Sequence, residues 1–222
     1  MDWFETEMRG DTLVITLNHP PYNTLNSDIL EADAKAFDDL AKDPPKGGVV
    51  LTGAGDNFTR GMDTKLAATF DAGDADRARH AINIFCASLH RLPCALVCAL
   101  NGHSIGAGGI AGLCADWVVT QSGDHKIGLP EAKAGLLYPS VAQAVLDHWL
   151  DPVWRRRLAL TSQLLDAEEA VAAGMADEVV APADLLDTAV KRAAEMNAQP
   201  EFAACKRQLR AKANAEIDAL LA

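Results

Sequence analysis

Apolar positions along the chain change their spacing repeatedly, and the changes predict strands alternating with helices. Residues 4–9 and 12–18 alternate or run apolar on either side of Gly10-Asp11, a two-residue turn signal, and read as a hairpin. His19-Pro20-Pro21-Tyr22-Asn23 reads as a loop, because paired prolines cannot supply ladder hydrogen bonds. Ile29, Leu30, Ala34, Phe37 and Leu40 then return at helical spacing, with Ser27 as the cap and Pro44-Pro45 beyond the end. A strand is predicted over 48–52, a polar loop over 53–60, a helical stretch over 64–70 and a charged connector over 71–76. Alanines with Ile82, Phe85, Leu89 and Leu92 predict a helix over about 75–91, which leads into an apolar strand over 94–100. This order of elements implies parallel strands with helices packed against them.

The second half is richer in helix. After a strand over 117–121 and a short one over 125–129, helices are predicted over 136–150, 154–161 and 167–173, with Gly174 as a C-terminal cap. A last short strand falls at 177–180, and amphipathic helices at 184–197 and 201–221. No repeat or linker appears. Residues 1–150 read as the core, and 151–222 as a helical C-terminal region packing as a subdomain or against a partner subunit.

Between two of the strands lies the stretch on which the chemistry turns, residues 101–116. Gly102, Gly106, Gly108, Gly109 and Gly112 remove side chains from a turn and helix start, so a ligand can approach the main chain. The first amides of a helix lack intrahelical partners and suit an anion. Three readings compete. Residues 106–111 match the dinucleotide pattern G-x-G-x-x-A, but too far from the first strand for that fold. Residues 102–106 match G-x-S-x-G, yet a serine hydrolase needs an acid and then a histidine after Ser104, and only His125 and His148 follow. In the third, amides near Ala107 and Gly108 join one at Met62 to hold a developing oxyanion. Residue types alone weigh this evenly against two tight turns with no ligand.

Composition narrows the classes. With 49% hydrophobic and 23% charged residues, the 222-residue chain fits a globular protein with one large core, not a disordered or fibrous one. A net charge of -11 argues against nucleic acid or an anionic membrane as partner. A small anionic ligand would need a local basic patch, for which Arg60, Lys65, Lys133, residues 155–157 and residues 206–210 are candidates. The five cysteines are odd in number and mostly sit in apolar runs, so they read as free thiols in a reducing compartment. No ligand set completes Cys94 and Cys98 into a metal site. Without an apolar run of about 18 residues or a leader-like start, a cytoplasmic protein is expected.

Four motifs in order carry a family resemblance. Asn57-Phe58-Thr59-Arg60-Gly61-Met62-Asp63 resembles the first oxyanion motif of the crotonase (enoyl-CoA hydratase/isomerase) superfamily, and residues 101–116 resemble the second. Residues 127–136 and 165–180 are similar to its later segments. The resemblance implies an α/β (α+β) fold, the crotonase/ClpP-like spiral of β-β-α units with C-terminal helices, as a homotrimer or dimer of trimers. It also implies an acyl-CoA thioester substrate and no cofactor beyond the coenzyme A of that substrate.

By the same resemblance, the amides of Met62 and Ala107 hold the thioester oxygen, and Gly61, Gly106, Gly108 and Ile110 belong to the substrate site. Lys65, Asn23 and Leu25 lie where relatives approach the CoA moiety. Hydratases resemble one another in using two glutamates; here Ile110 stands at the first position and Glu131 at the second. A single carboxylate suffices to move a proton between C2 and C4, so the chain resembles Δ3,Δ2-enoyl-CoA isomerases of fatty acid metabolism. Same-fold alternatives are a hydratase (a lyase), a thioester hydrolase or a decarboxylase; a non-catalytic acyl-CoA-binding protein is the alternative outside enzymes. Glu131 in an apolar pocket would have a raised pKa, as a base requires, whereas a surface glutamate would merely begin a helix. Asp63 reads as a helix cap. Many relatives are similar in continuing through further helices beyond the equivalent of Ala222, so closure of the pocket is expected to differ.

Overall fold

A computed structural model describes residues 4–222. The chain opens with the hairpin of β1 (Phe4–Arg9) and β2 (Thr12–Leu17), paired antiparallel from Phe4 opposite Leu17 to Arg9 opposite Thr12. Next come α1 (Ser27–Leu40), β3 (Val49–Gly53), β4 (Asn57–Thr59), α2 (Thr64–Ala67) and α3 (Ala72–His90). β5 (Leu96–Leu100), β6 (His103–Ile105), α4 (Ala107–Cys114), β7 (Trp117–Gln121), β8 (Ile127–Gly128) and α5 (Ser140–Trp149) follow. The remainder is α6 (Pro152–Thr161), β9 (Leu164–Leu165), α7 (Ala167–Ala172), β10 (Glu178–Val180), a 3-10 turn at Pro182–Asp184, α8 (Leu185–Asn197), α9 (Phe202–Leu209) and α10 (Ala211–Leu221).

The strands form two sheets, one in the order β1-β2-β3-β5-β7-β10 and one in the order β4-β6-β8-β9. Each turn of the chain lays one strand in the large sheet, the next in the small sheet, and then a helix: β3-β4-α2, β5-β6-α4 and β7-β8-α5. This is the expected spiral of β-β-α units. From β2 to β10 the large sheet is parallel, and β1 is its antiparallel edge. Its strands run apolar instead of alternating because both faces are covered. Val49, Leu51, Leu96, Cys98 and Leu100 face the main core, while Val50, Val97, Ala99 and Val119 face Leu185, Ala189 and Ala193 of α8.

α1 lies alongside α3. Arg77 bonds Asp28 and Glu31 at one end of the pair, and the Phe37 and Phe85 rings meet edge to face further along. Asp33 falls between them on α1, fully buried, with neither carboxylate oxygen hydrogen-bonded among the described residues.

Several local expectations are corrected. Asn26, not Ser27, caps α1, accepting from the Ile29 amide at 2.9 Å. The predicted connector over 71–76 is the first turn of α3, because Asp71 and Asp74 form a reciprocal capping box. Part of the polar loop over 53–60 is β4. Residues 136–139 are not helical, since Gly135 has φ +73 and Pro139 restricts the residue before it; α5 begins only at Ser140. The helix expected over 201–221 is broken at Arg210 into α9 and α10. β9 was not foreseen, and it pairs antiparallel with β8.

Candidate active site

The first glycine turn leaves the end of β4. Thr59 Oγ1 donates to the Asn23 carbonyl at 2.5 Å and accepts from the Gly61 amide at 3.0 Å. The Leu25 amide donates to the Gly61 carbonyl (2.8 Å), and the Leu25 carbonyl accepts from the Asp63 amide (2.9 Å). This one-residue parallel bridge engages the groups on both sides of Met62 and leaves the Met62 amide itself unpaired among the described residues. Gly61 has φ +74, and a Cβ there would stand 2.6 Å from the Ile105 carbonyl oxygen and 3.2 Å from the Ala107 amide nitrogen. The two glycine turns therefore touch, and only glycine permits it.

The second turn enters α4 through Gly106, at φ +59, whose amide donates to the Gly128 carbonyl at 2.9 Å. Gly106 offers no side-chain cap, and the first amide with an intrahelical partner is that of Ile110, bonded to the Gly106 carbonyl at 3.0 Å. A Cβ on Gly108 would lie 2.7 Å from the Thr59 carbonyl oxygen, and one on Gly109 would lie 3.1 Å from the Gly128 carbonyl oxygen. These two glycines wedge α4 between β4 and β8. Gly108 thus serves packing, while Ala107, whose amide has no partner among the described residues, lines the cavity with Met62. Two unpaired amides from abutting turns, at the positive end of a helix, can stabilise negative charge on one oxygen.

The cavity beside them measures about 400 Å³. One wall is α2, α3 and the turn between them, through Ala67, Phe70, Ala78 and Ile82; the other is the segment with Leu136 and Leu137. Ile110, 1% exposed, lines it from α4. Glu131 lines it too, only 7% exposed, with Oε1 3.4 Å from where a Gly106 Cβ would sit and Oε2 buried without a hydrogen-bond partner among the described residues. Burial pushes its carboxyl above the ordinary value, against smaller pulls from its own amide and from the Tyr138 hydroxyl. Glu131 is therefore not the solvated glutamate of a helix start. It faces the neighbourhood of the free amides from an apolar wall.

Other candidates fall elsewhere. Asn23, at φ 51 and buried, accepts from the His19 amide and donates to the Ala54, Asn57 and Phe58 carbonyls, so its side chain holds backbone behind the site. Leu25 is in the core and supports Met62 through its backbone. Lys65 is exposed on α2 and outside the cavity lining, while Asp63 caps α2, accepting from the Lys65 and Leu66 amides. Ser104 is fully buried with its hydroxyl unpartnered, and among the described residues His125 pairs with Thr120 and His103 accepts from the Lys126 amide. No hydrolase triad forms there. Among the described residues no cluster of His, Cys, Asp or Glu could hold a metal, and no helix is long and apolar enough to cross a membrane.

Lys206 and Arg210 do not form a basic patch. Both are buried on Asp116: Lys206 Nζ lies 2.6 Å from Oδ2 and Arg210 Nη2 lies 2.7 Å from Oδ1. Arg210 also donates to the carbonyls of His90, Cys114 and Ala115, closing the C-terminal ends of α3 and α4. Sequence reasoning saw charge here but not its burial. Tyr138, whose hydroxyl donates to the Leu129 carbonyl at 2.9 Å, was missed altogether, its signal being a lone phenol within an apolar run.

Known proteins resemble this chain in sequence and in fold. A probable enoyl-CoA hydratase EchA17 of Mycobacterium tuberculosis is 32% identical over 177 residues, 79% of this chain and 67% of that protein. A carnitinyl-CoA dehydratase of Salmonella arizonae is 33% identical over 189 residues, 84% of this chain and 71% of the relative. The structure of the probable enoyl-CoA hydratase EchA3 of M. tuberculosis H37Rv superposes with a TM-score of 0.89 at 25% identity, over 99% of this chain and 93% of that one. An apo structure of that same protein, described as an enoyl-CoA isomerase, gives 0.87 at 25% identity, over 99% and 96%. The family model for enoyl-CoA hydratase/isomerase matches residues 7–221, and with both glycine turns inside that span the chain belongs to the enoyl-CoA hydratase/isomerase family.

Proposed function

We propose that the chain is a Δ3-to-Δ2 enoyl-CoA isomerase in which Glu131 alone carries the proton. The observation that supports this is Ile110, an apolar side chain on the cavity wall where the resemblance implies the first of a hydratase's two glutamates. The thioester oxygen accepts hydrogen bonds from the Met62 and Ala107 amides. Ionised Glu131 takes a proton from C2 of a 3-enoyl thioester, and the electron pair moves onto the thioester oxygen. Each amide then holds more charge than in the ground state, and loss of one such donor costs roughly 3 to 4 kcal/mol. Neutral Glu131 returns the proton at C4. Hydration would further require a water held and deprotonated beside C3, and Ile110 offers it no polar atom.

The acyl chain occupies the cavity, and the CoA moiety passes near Arg60, which lines it, and Lys65 at the outside. No cofactor is needed beyond the coenzyme A of the substrate. Assembly as a homotrimer or dimer of trimers rests on the family resemblance, and exposed Val153 and Leu160 on α6 offer apolar surface for it.

A hydratase is the second reading, favoured by the names of the sequence relatives. Assay of wild type and Glu131→Gln on 3-enoyl-CoA and 2-enoyl-CoA separates the two. Isomerisation that falls at least a thousandfold in the variant, without hydration by wild type, is the expected result. Formation of 3-hydroxyacyl-CoA by wild type would instead make the chain a hydratase. Thioester binding with no turnover of either substrate would point to a binding protein.

A further inference from the structure

We infer that Arg79 selects the acyl group: its guanidinium receives a carboxylate at the far end of the acyl chain, so the substrate is the coenzyme A thioester of a dicarboxylic 3-enoic acid. The inference rests on the reading of the cavity as an acyl site and deepens it. Ala75, Ala78, Arg79 and Ile82 line the cavity from α3, and positions i, i+3, i+4 and i+7 share one face of a helix. Arg79 is the charged member of an otherwise apolar stripe, and the two alanines beside it leave room at the guanidinium. Asn83 ties this part of α3 to the start of α5: its Nδ2 donates to Ser140 Oγ at 3.2 Å and its Oδ1 accepts from the Val141 amide at 2.9 Å. Ile82 and Pro139 line the cavity next to that tie, and Arg79 stands one helical turn from Ile82 towards the start of α3.

The charges around the cavity suit an anion at that place. The sequence carries 31 acidic residues against 20 lysines and arginines, yet the charged side chains lining the cavity are Arg60, Arg79 and Glu131. Arg60 stands two residues before Met62, its Nε donating to Asn57 Oδ1 at 2.8 Å and its guanidinium 4.5 Å over the Tyr22 ring, and so belongs to the thioester end. Arg79 is on the α3 wall, across from Leu136 and Leu137, which offer no side-chain polar atom. Asp76 pairs with Arg79 from outside the lining, and the two side chains are 73% and 51% exposed. A surface pair of this kind holds weakly. A carboxylate carried in by the bound thioester, forked on the guanidinium between apolar walls, displaces it.

In a 3-enedioyl thioester the Met62 and Ala107 amides hold the oxygen on C1, Glu131 moves the proton from C2 to C4, and the distal carboxylate rests on Arg79. No bond to that carboxylate forms or breaks. Anchoring both ends of the chain keeps C2 and C4 beside Glu131, which is a positioning effect on the reaction as well as a contribution to binding. A monocarboxylic chain of the same length turns a methyl group towards the guanidinium and gains neither. The same cation could instead meet a phosphate of the coenzyme A moiety. That phosphate is common to every acyl thioester, so the two sources of negative charge are told apart by comparing diacid with monoacid.

The test compares hex- and oct-3-enedioyl-CoA with hex- and oct-3-enoyl-CoA in turnover, and the unreactive adipyl- and suberyl-CoA with hexanoyl- and octanoyl-CoA in calorimetric binding. Wild type should favour the diacid about tenfold or more at one of the two lengths, in kcat/KM and in Kd alike. Arg79→Met should bring that ratio to about one, and Arg79→Lys, which keeps the charge without the fork, should retain part of it. Asp76→Asn removes the competing carboxylate and should raise the ratio. A wild-type ratio near one overturns the inference, and so does a ratio that neither Arg79→Met nor Asp76→Asn moves. A loss in Arg79→Met shared equally by diacid and monoacid also overturns it, placing Arg79 on a coenzyme A phosphate or in support of the fold. If no 3-enoyl thioester is turned over, the isomerase reading falls, while the binding ratio still decides Arg79.

Discussion

Asp33→Asn should stabilise the protein at neutral pH and scarcely alter it in acid. Asp33 is fully buried on α1, both oxygens lack partners among the described residues, and burial raises its pKa from 3.8 to about 7. Below about pH 3 the carboxyl is protonated whether the chain is folded or not. As the pH rises, the unfolded chain releases its proton first and the folded chain retains it to about pH 7, so stability falls by about 1.4 kcal/mol per unit. Over the roughly three units of the shift, the loss is about 4 kcal/mol, and above pH 7 it is complete. His90 works in the opposite direction. Burial and Arg210 push its pKa down to about 3, so its contribution is present above its ordinary value of 6.5 and is lost as pH falls towards 3. The two slopes oppose each other between pH 4 and 6.5, and the wild-type profile alone conceals both. The difference between Asp33→Asn and wild type isolates Asp33. Urea unfolding followed by tryptophan fluorescence at pH 4 to 8 should give near-equal stabilities at pH 4 and an advantage of about 4 kcal/mol for the variant at pH 8. A difference that does not change with pH would refute the reasoning.

Two further substitutions probe the support of the site. Gly61→Ala places a Cβ 2.6 Å from the Ile105 carbonyl at φ +74 and should lower kcat at least a hundredfold, whereas Gly55→Ala, at φ +66 with open space around it, carries only a backbone penalty of about 1 to 2 kcal/mol; equal activities in the two variants would contradict the close contact between the turns. Arg210→Met leaves Asp116 with the Lys206 ammonium and the Leu96 amide and deprives three carbonyls of their guanidinium donor, and a loss of about 3 to 5 kcal/mol is expected in urea unfolding at pH 7.

The legible parts of the fold are those with local causes. Gly10-Asp11 announces its hairpin, and strands covered on both faces announce themselves as apolar runs at 49–53 and 96–100. β4, β6 and β9 are two or three residues long and exist through pairing with distant chain, which no local pattern records. Adjacent capping residues at Asn26 and Ser27 shifted one helix start by a residue. In the site, Met62, Ala107 and Glu131 were named through motifs spanning several residues. Tyr138 and Arg210 act as single side chains reaching back to other segments, and composition cannot distinguish a solvated cation from a buried one. Asn23 was placed near the CoA moiety, whereas its amide is engaged by backbone.

Arg210 also sets an order on assembly. The carbonyls it holds on His90 and Cys114 lie 120 and 96 residues earlier in the chain. A polypeptide emerging N-terminus first has both glycine turns and every strand of the large sheet outside the ribosome while α3 and α4 still lack the guanidinium that closes their ends. Contacts of such long sequence separation form late. The helix that presents the Ala107 amide is therefore synthesised 96 residues before the side chain that locks its end.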